Sequence, residues 1–383
     1  MRVGIIGTGW GCSVQVPFFR QAGLEVVAIY SRDLSKARRL CEEHEVPHAF
    51  DSVAALLACA DVELVSVVSP TFLHAEHALA ALRAGKHVLT DKPMALNAAQ
   101  AAPLVAAAAA AAAAGQIALV DHELRFLRCV QAARAWVVGG AIGALRHASA
   151  SFLVHMRGLG RTHSWWHERA RGGGVSGALG VHVVDLVHFV TGRRLARVAG
   201  RASTFLLERP GGTATADDAF TIDGVFAAPA APAAAAPAAA PAAVASIVVD
   251  GLASVPAERR LVLLGSEGAV VLDLVACTAT RFDKKGREAE AVAEEDEDHE
   301  PEPWEMAAPD AFVHGTFAIG QALARSGGDP RSPSLAGVGC SFADGAYVAA
   351  VMDAMRASSD GGGARREVVA VVGGPQQPPA SRI

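Results

Sequence analysis

Arg2-Val3-Gly4-Ile5-Ile6-Gly7-Thr8-Gly9-Trp10-Gly11-Cys12 is the stretch whose reading decides the fold. Its first five residues make a short apolar strand, and a helix through Phe18 to Ala22 follows the glycines. In a strand–turn–helix unit of this kind the first glycine makes the tight turn and the second lets the backbone approach a pyrophosphate. The third place needs a small residue so that helix and strand can pack, and the helix amino terminus offers N–H groups to the anion. Gly7 and Gly9 fill the first two places, the third falls on Cys12 with Gly11 beside it, and Thr8 and Trp10 complete the loop. A glycine-rich turn alone says little. Placed after a strand and before a helix, it predicts dinucleotide binding.

Working outward, strands are expected at 24–30, 62–68, 87–89 and 117–120, and helices at 34–44, 53–59, 71–84 and 96–114. Gly85 and Gly115 close the last two helices as C-terminal caps. This alternation implies a parallel sheet with helices on both faces. Beyond residue 121 the rhythm changes. Longer strands are expected at 147–153, 197–207, 219–226, 245–251, 260–265 and 269–274, with helices at 178–191, 308–324 and 342–357 and a last strand over 367–372. The fold class is α/β: an N-terminal Rossmann dinucleotide-binding domain over 1–121, plus a C-terminal α+β domain over 122–383 with an open, mostly antiparallel sheet. Two low-complexity inserts interrupt the second domain. In 227–243 the prolines at 229, 232, 237 and 241 exclude helix and central strand, and the acidic stretch 288–302 reads as a solvated loop.

With 383 residues the chain exceeds the ~250–300 at which single cores stop growing, which predicts two domains. Thirty-four Lys and Arg against 39 Asp and Glu leave a net charge of -5 with no basic stripe, which argues against a nucleic-acid partner. The alanine run near 106–114 is too short to span a bilayer and no secretory signal pattern is read, so neither a membrane partner nor export is expected. The six cysteines form no C-x-x-C pair, and His163 and His167 have no third ligand at a metal-binding spacing. No metal is therefore expected, and the cysteine usage fits the cytoplasm.

An NAD-selective site usually ends its second strand on an acid that binds the ribose 2′-hydroxyl. Here that strand ends Ile29-Tyr30-Ser31-Arg32. A serine hydroxyl and a guanidinium suit a 2′-phosphate, because the planar fork of arginine donates two hydrogen bonds at once. NADP(H) is therefore favoured, with NAD(H) the alternative. Asp33 is the neighbour that would cancel this preference by pairing with Arg32.

Lys92 precedes a proline at the carboxyl end of a parallel strand, the edge where such sheets hold ligands. The runs Val67-Val68-Ser69-Pro70-Thr71-Phe72-Leu73-His74 and Gly85-Lys86-His87-Val88-Leu89-Thr90-Asp91-Lys92-Pro93, with the opening Gly-Thr-Gly, resemble the Gfo/Idh/MocA oxidoreductase family. The likeness continues through His122-Glu123-Leu124-Arg125-Phe126, Trp166, the glycines at 172–174, Gly180-Val181-His182-Val183-Val184-Asp185 and Ser341-Phe342-Ala343-Asp344-Gly345. The family's usual Glu-Lys-Pro is here Asp-Lys-Pro. The resemblance implies hydride transfer between a nicotinamide and a sugar, polyol or similar hydroxylated small molecule, in a homodimer or homotetramer. Ser69, Pro70, Asp91 and Lys92 are expected beside the cofactor, and the resemblance places Lys92 and His182 at the reacting carbon. His74, on the turn after Pro70, either lines the nicotinamide side of the cleft, caps a helix or faces solvent. A histidine that titrates near neutrality can serve as base for oxidation and as acid for reduction. Lys92 would steady charge on the substrate oxygen, and Asp185, about one turn beyond His182, would orient a partner.

The family's acid four residues before the histidine falls on Ala178, with Asp185 or Glu168 as possible substitutes. That departure supports the competing expectation of a catalytically weak or silent nucleotide-binding scaffold, akin to the glucose–fructose oxidoreductase domain-containing proteins.

Overall fold

The computed structural model describes residues 1–156, 162–228, 241–294 and 311–369, which divide into two compact units. Among the described residues, the first unit comprises Met1–Phe126 and Phe312–Ala349, and the second comprises Leu127–Ala311 with the segment from Ala350 onward. Where the sequence suggests a single cut after residue 121, the described chain crosses between the units three times, after Phe126, Ala311 and Ala349. The chain leaves the first unit after Phe126 and later returns to it.

The first unit begins with β1 (Arg2–Ile6), α1 (Val16–Gln21), β2 (Glu25–Tyr30), α2 (Leu34–Glu43), β3 (His48–Phe50), α3 (Val53–Ala58) and β4 (Leu64–Val67). It continues through α4 (His74–Arg83), β5 (His87–Asp91), α5 (Ala98–Ala113) and β6 (Ala118–Asp121). These six strands pair in parallel in the order β6-β5-β4-β1-β2-β3. Their near-continuous apolar runs follow from burial on both faces. Val3, Ile5, Val26, Ile29, Leu64 and Leu89 pack into one hydrophobic cluster, while Ile6, Val27, Val65, Val67 and Val88 join another. Asp33, Ser52 and Asn97 cap α2, α3 and α5 by accepting from backbone N–H groups of the first turns.

The second unit contains α6 (Arg128–Val138), β7 (Leu145–Leu153), α7 (Val181–Thr191) and β8 (Leu195–Ser203). The hairpin β9 (Glu208–Arg209) and β10 (Gly212–Thr213) follows, then β11 (Ala219–Phe226), β12 (Val244–Asp250), β13 (Glu258–Gly265), β14 (Gly268–Asp273), β15 (Thr278–Asp283) and β16 (Glu288–Ala293). The chain then supplies α8 (Ala311–Ser326) and β17 (Cys340–Ser341), which pairs antiparallel with β6 and completes the first sheet. After α9 (Phe342–Asp360), the short β18 (Arg366–Glu367) closes the edge of a nine-stranded sheet ordered β16-β15-β14-β13-β7-β12-β11-β8-β18. Only the β7–β12 pairing in it is parallel.

One face of the β8, β11 and β12 region is buried while the other stays open. Ile222, Ala245 and Ile247 point inward, and Thr221, Asp223 and Val248 point outward. Met355 of α9 packs so closely on Gly200 of β8 that an added Cβ would lie 2.5 Å from its Cγ.

Residues 288–293, read from sequence as part of a solvated loop, instead form β16 on the sheet edge. Their alternating Glu and Ala suit an edge strand, where charge discourages further pairing. Most of the alanine/proline insert, and the acidic one beyond residue 294, lie outside the described residues. The apolar stretch Arg169–Thr191 is long enough to cross a membrane by length and composition, but 89% of its most apolar 18 residues are buried.

Candidate nucleotide and substrate site

Three glycines after β1 do separate jobs. Gly7 has φ +136°, and a Cβ there would lie 2.3 Å from the Val68 carbonyl oxygen, so only glycine fits. A Cβ on Gly9 would meet nothing within 4 Å, which leaves an open cradle for a ligand. A Cβ on Gly11 would press to 2.7 Å from Ile5 and 2.8 Å from Val68. The close helix–strand packing assigned to Cys12 thus rests on Gly11, and Cys12 is a buried neighbour whose thiol burial pushes up to about 11. A π-helical turn over Gly11–Gln15 leads into α1 and turns the helix amino end to the loop. Ser13 binds the Gly9 carbonyl through both its N–H and its hydroxyl. Thr8 is half-buried and Trp10 is 38% exposed, so the indole stands at the surface of the cradle. This arrangement fits a pyrophosphate.

At the end of β2, Ser31 donates its N–H to the Phe50 carbonyl and accepts at its Oγ from the Asp33 N–H. Asp33 is turned to the α2 cap. Its Oδ1 accepts from the Ser35 N–H at 2.9 Å, the Ser35 hydroxyl at 2.6 Å and the Lys36 N–H at 3.2 Å. The Ser35 hydroxyl and the helix N–H groups hold this carboxyl below its usual range. Arg32 is exposed, and among the described residues it has neither an ion pair nor a hydrogen bond.

At the ends of β4 and β5, Ser69 and Pro70 begin the turn into α4, and Asp91 ends β5 with Lys92 and Pro93 following it. Ser69 Oγ lies 3.0 Å from His77 Nδ1, and burial holds the His77 imidazole below its usual range. His74 braces the two turns. Its Nδ1 lies 2.8 Å from the Pro93 carbonyl oxygen and its Nε2 2.5 Å from that of Ser69. It is buried and engaged at both ring nitrogens, so of the readings the sequence leaves open it is not the solvent-facing one. The Lys92 N–H donates to Asp91 Oδ1 at 2.7 Å, and the Lys92 side chain is half-buried.

Beside Lys92 lies a group that sequence reasoning missed. Asp121 ends β6 in register with Asp91 on β5. Its Oδ2 accepts from Gln15 Nε2 at 3.0 Å, and Gln15 Oε1 accepts from the Ser66 hydroxyl at 2.7 Å, all three side chains being buried. Burial first, and then the charge of Asp91, push the Asp121 carboxyl up to about 7, against the pull of Gln15 and Lys92. Glu123 is buried too, and burial and Asp121 push it well above the usual carboxylate range. The available signal was an acid closing the strand next to the one that carries Lys92. Arg125, also buried, donates to the Gly339 carbonyl and pairs with Asp344 at 3.3 Å, which ties the entry motif to the late helix.

In the second unit, His182 and Asp185 lie on α7, both buried. Ala178 sits in the π-helical turn Ser176–Gly180 that precedes them. The turn is anchored by Asp217, which accepts from the Ser176 N–H at 2.8 Å and hydroxyl at 2.7 Å. The glycines before it allow close backbone approach. A Cβ on Gly173 would lie 2.3 Å from the Trp166 carbonyl oxygen, and Gly174 has φ +89°. Glu168 lies 3.5 Å from Arg171. Trp165 and Trp166 are half-buried with ring centroids 5.8 Å apart.

Comparison with known proteins agrees with this architecture. Residues 1–121 match the family model described as "Oxidoreductase family, NAD-binding Rossmann fold", and residues 130–271 match the model of the GFO/IDH/MocA C-terminal domain. Trans-1,2-dihydrobenzene-1,2-diol dehydrogenase of Bos taurus is 30% identical over 55% of this chain and 65% of its own length. D-glucoside 3-dehydrogenase of Escherichia coli is 31% identical over 50% of this chain and 54% of its own. The chain thus spans between half and two thirds of the curated relatives it matches. The crystal structure of an oxidoreductase domain protein from Kribbella flavida superposes with a TM-score of 0.80 at 28% identity, covering 96% of this chain and 98% of that one. With both domain models matched in order, over most of its length, this chain belongs to the Gfo/Idh/MocA oxidoreductase family.

Proposed function

We propose that this protein is an NADP-preferring oxidoreductase that moves hydride between the nicotinamide and a CH–OH carbon of a sugar, polyol or similar small molecule. One observation carries the cofactor choice: Arg32 stands exposed and unengaged at the end of β2, while Asp33 is occupied in capping α2. A guanidinium in that place suits a 2′-phosphate, and among the described residues no acid pairs with it. The diol and glucoside dehydrogenases among the relatives support the substrate class.

When bound, the nicotinamide accepts or returns a hydride. In this reading the remaining work falls to the chain itself. The Gly7–Gly11 loop and the helix amino end bind the pyrophosphate. Lys92 orients the substrate oxygen and steadies its charge, His182 takes or gives the hydroxyl proton, and Asp185 orients the imidazole.

The test is turnover of dihydrodiols, glucosides and polyols with NADP+ and NAD+, in wild type, Lys92→Ala and His182→Ala. Both variants should lose turnover while their nucleotide affinity stays near that of wild type. Variants as active as wild type would refute the assignment.

Ala178 favours a second reading, a nucleotide-binding scaffold whose protein partner senses the bound nucleotide. A substrate panel without turnover, together with NADPH-dependent partner binding, would establish it.

We also assign the protein to the cytoplasm and to a homodimer or homotetramer. The open face of the nine-stranded sheet, with Val244, Val248 and Leu264 exposed, supports the assembly. That none of the six cysteines is in a disulfide supports the compartment.

A further inference from the structure

We propose that Asp121, fixed from beneath by Gln15 and Ser66, is the positioning residue for Lys92, its carboxylate setting the attitude and charge environment of that ammonium. The inference rests on the reading of Lys92 as a catalytic residue.

Geometry carries it. The parallel register of β5 and β6 sets Asp121 level with Asp91, the residue before Lys92. Gln15 reaches Asp121 from the helix that follows the phosphate loop, and Ser66 reaches Gln15 from β4. The Ser66 hydroxyl fixes the amide so that its N–H points at Oδ2. Asp121 Oδ1 is buried and has no hydrogen-bond partner among the described residues. A buried carboxyl with one satisfied oxygen costs stability, and apolar side chains of the same shape would fold more favourably. Such a chain is explained by a charge needed at its end.

Within the nucleotide-binding unit, Asp91 at the end of β5 and Lys92 just after it act on Asp121, which in turn acts on Glu123 just beyond β6. His122, the next residue along the chain, is also buried. Gln15 and Ser66 contribute no charge. Lys92 is the cation that acts on both buried acids. Burial and Asp91 raise Asp121, and burial and Asp121 raise Glu123, so Asp121 gains its charge near neutrality. Lys92 therefore acts on an anion above neutrality and on a neutral carboxyl below it. A turnover that needs the oriented ammonium should fall on the acid side.

The experiment is the pH profile of kcat for wild type, Asp121→Asn, Gln15→Met and Lys92→Ala, alongside NADPH affinity and an infrared titration of protonated carboxyl groups. Wild type should show an acid limb near neutrality and a carboxyl band that disappears over the same range. Asp121→Asn should lose that band and that limb, with kcat down roughly 10- to 100-fold and NADPH affinity within about twofold of wild type. Gln15→Met removes a hydrogen bond to the ionised form, so the limb should move to higher pH. A purely structural role would lower stability or kcat without moving the limb. Wild-type profiles in both Asp121→Asn and Gln15→Met, with Lys92→Ala inactive, would overturn this inference alone. A fully active Lys92→Ala would overturn the reading beneath it as well. If no substrate is turned over, a neutral-range carboxyl band that survives Asp121→Asn, or is absent from wild type, overturns the inference.

Discussion

Replacing Asp121 by Asn should stabilise the nucleotide-binding unit, and should do so only as the pH rises. Burial lifts the Asp121 carboxyl from 3.8 to about 7 in the folded protein. Between those two values the folded state binds a proton that the unfolded state has released, so wild-type stability falls with pH across that window. The contribution of the protonated form is complete below about pH 3.8 and gone above about pH 7. At ~1.4 kcal/mol per pH unit, the full loss is about 4 kcal/mol, of which about 3 kcal/mol falls between pH 5 and 7.5. Asparagine does not titrate, but its buried amide must find acceptors, at a cost of about 1–3 kcal/mol. The variant should therefore match or trail wild type at pH 5 and exceed it by ~1–3 kcal/mol at pH 7.5.

Two units make a single unfolding curve ambiguous. Amide hydrogen exchange within β6 and β5, compared between wild type and variant at each pH, reads the relevant opening directly. A difference that stays constant from pH 5 to 7.5 would refute the argument, because it would mean that Asp121 ionises in the folded state as easily as in the unfolded one.

The glycines of the loop should separate by their neighbours. Gly7→Ala forces a Cβ to 2.3 Å from the Val68 carbonyl at a positive φ and should destabilise the fold by roughly 2–4 kcal/mol, read by denaturant titration. Gly9→Ala meets no protein atom and should keep wild-type stability while nucleotide affinity, measured by calorimetry, drops at least ~10-fold. Arg32→Ala should weaken NADPH binding by roughly 10- to 100-fold, the worth of charge-assisted hydrogen bonds to a phosphate, and leave NADH nearly unchanged. Gly11→Ala should fall between the other two glycines, at about 1–3 kcal/mol, since its Cβ meets side chains that can shift.

Most of the first unit was legible because its signals are local. An apolar strand, a glycine turn and capped helices recur at regular spacing from residue 2 to residue 121. The short β3 and β17 were missed because three and two residues carry no periodicity; each exists through pairing with a distant strand. Glu288–Ala293 reads as a loop by charge, yet pairing with β15 outweighs composition. Lys92 was visible through its motif. Gln15 and Asp121 were not, since they lie 106 residues apart and nothing in either segment announces their hydrogen bond. His74 was singled out by its motif but its direction was invisible, because the carbonyls that claim it belong to Ser69 and Pro93 on two different turns.

The central claim is nucleotide-dependent oxidoreduction with a preference for the phosphorylated cofactor, and parallel titration of the wild-type protein with NADPH and NADH tests it most directly. Trp10, exposed in the phosphate loop, supplies the fluorescence signal. Both nucleotides should bind saturably, with NADPH at least ~10-fold tighter and that advantage lost in Arg32→Ala. Equal affinities, tighter NADH, or no binding of either nucleotide would contradict it.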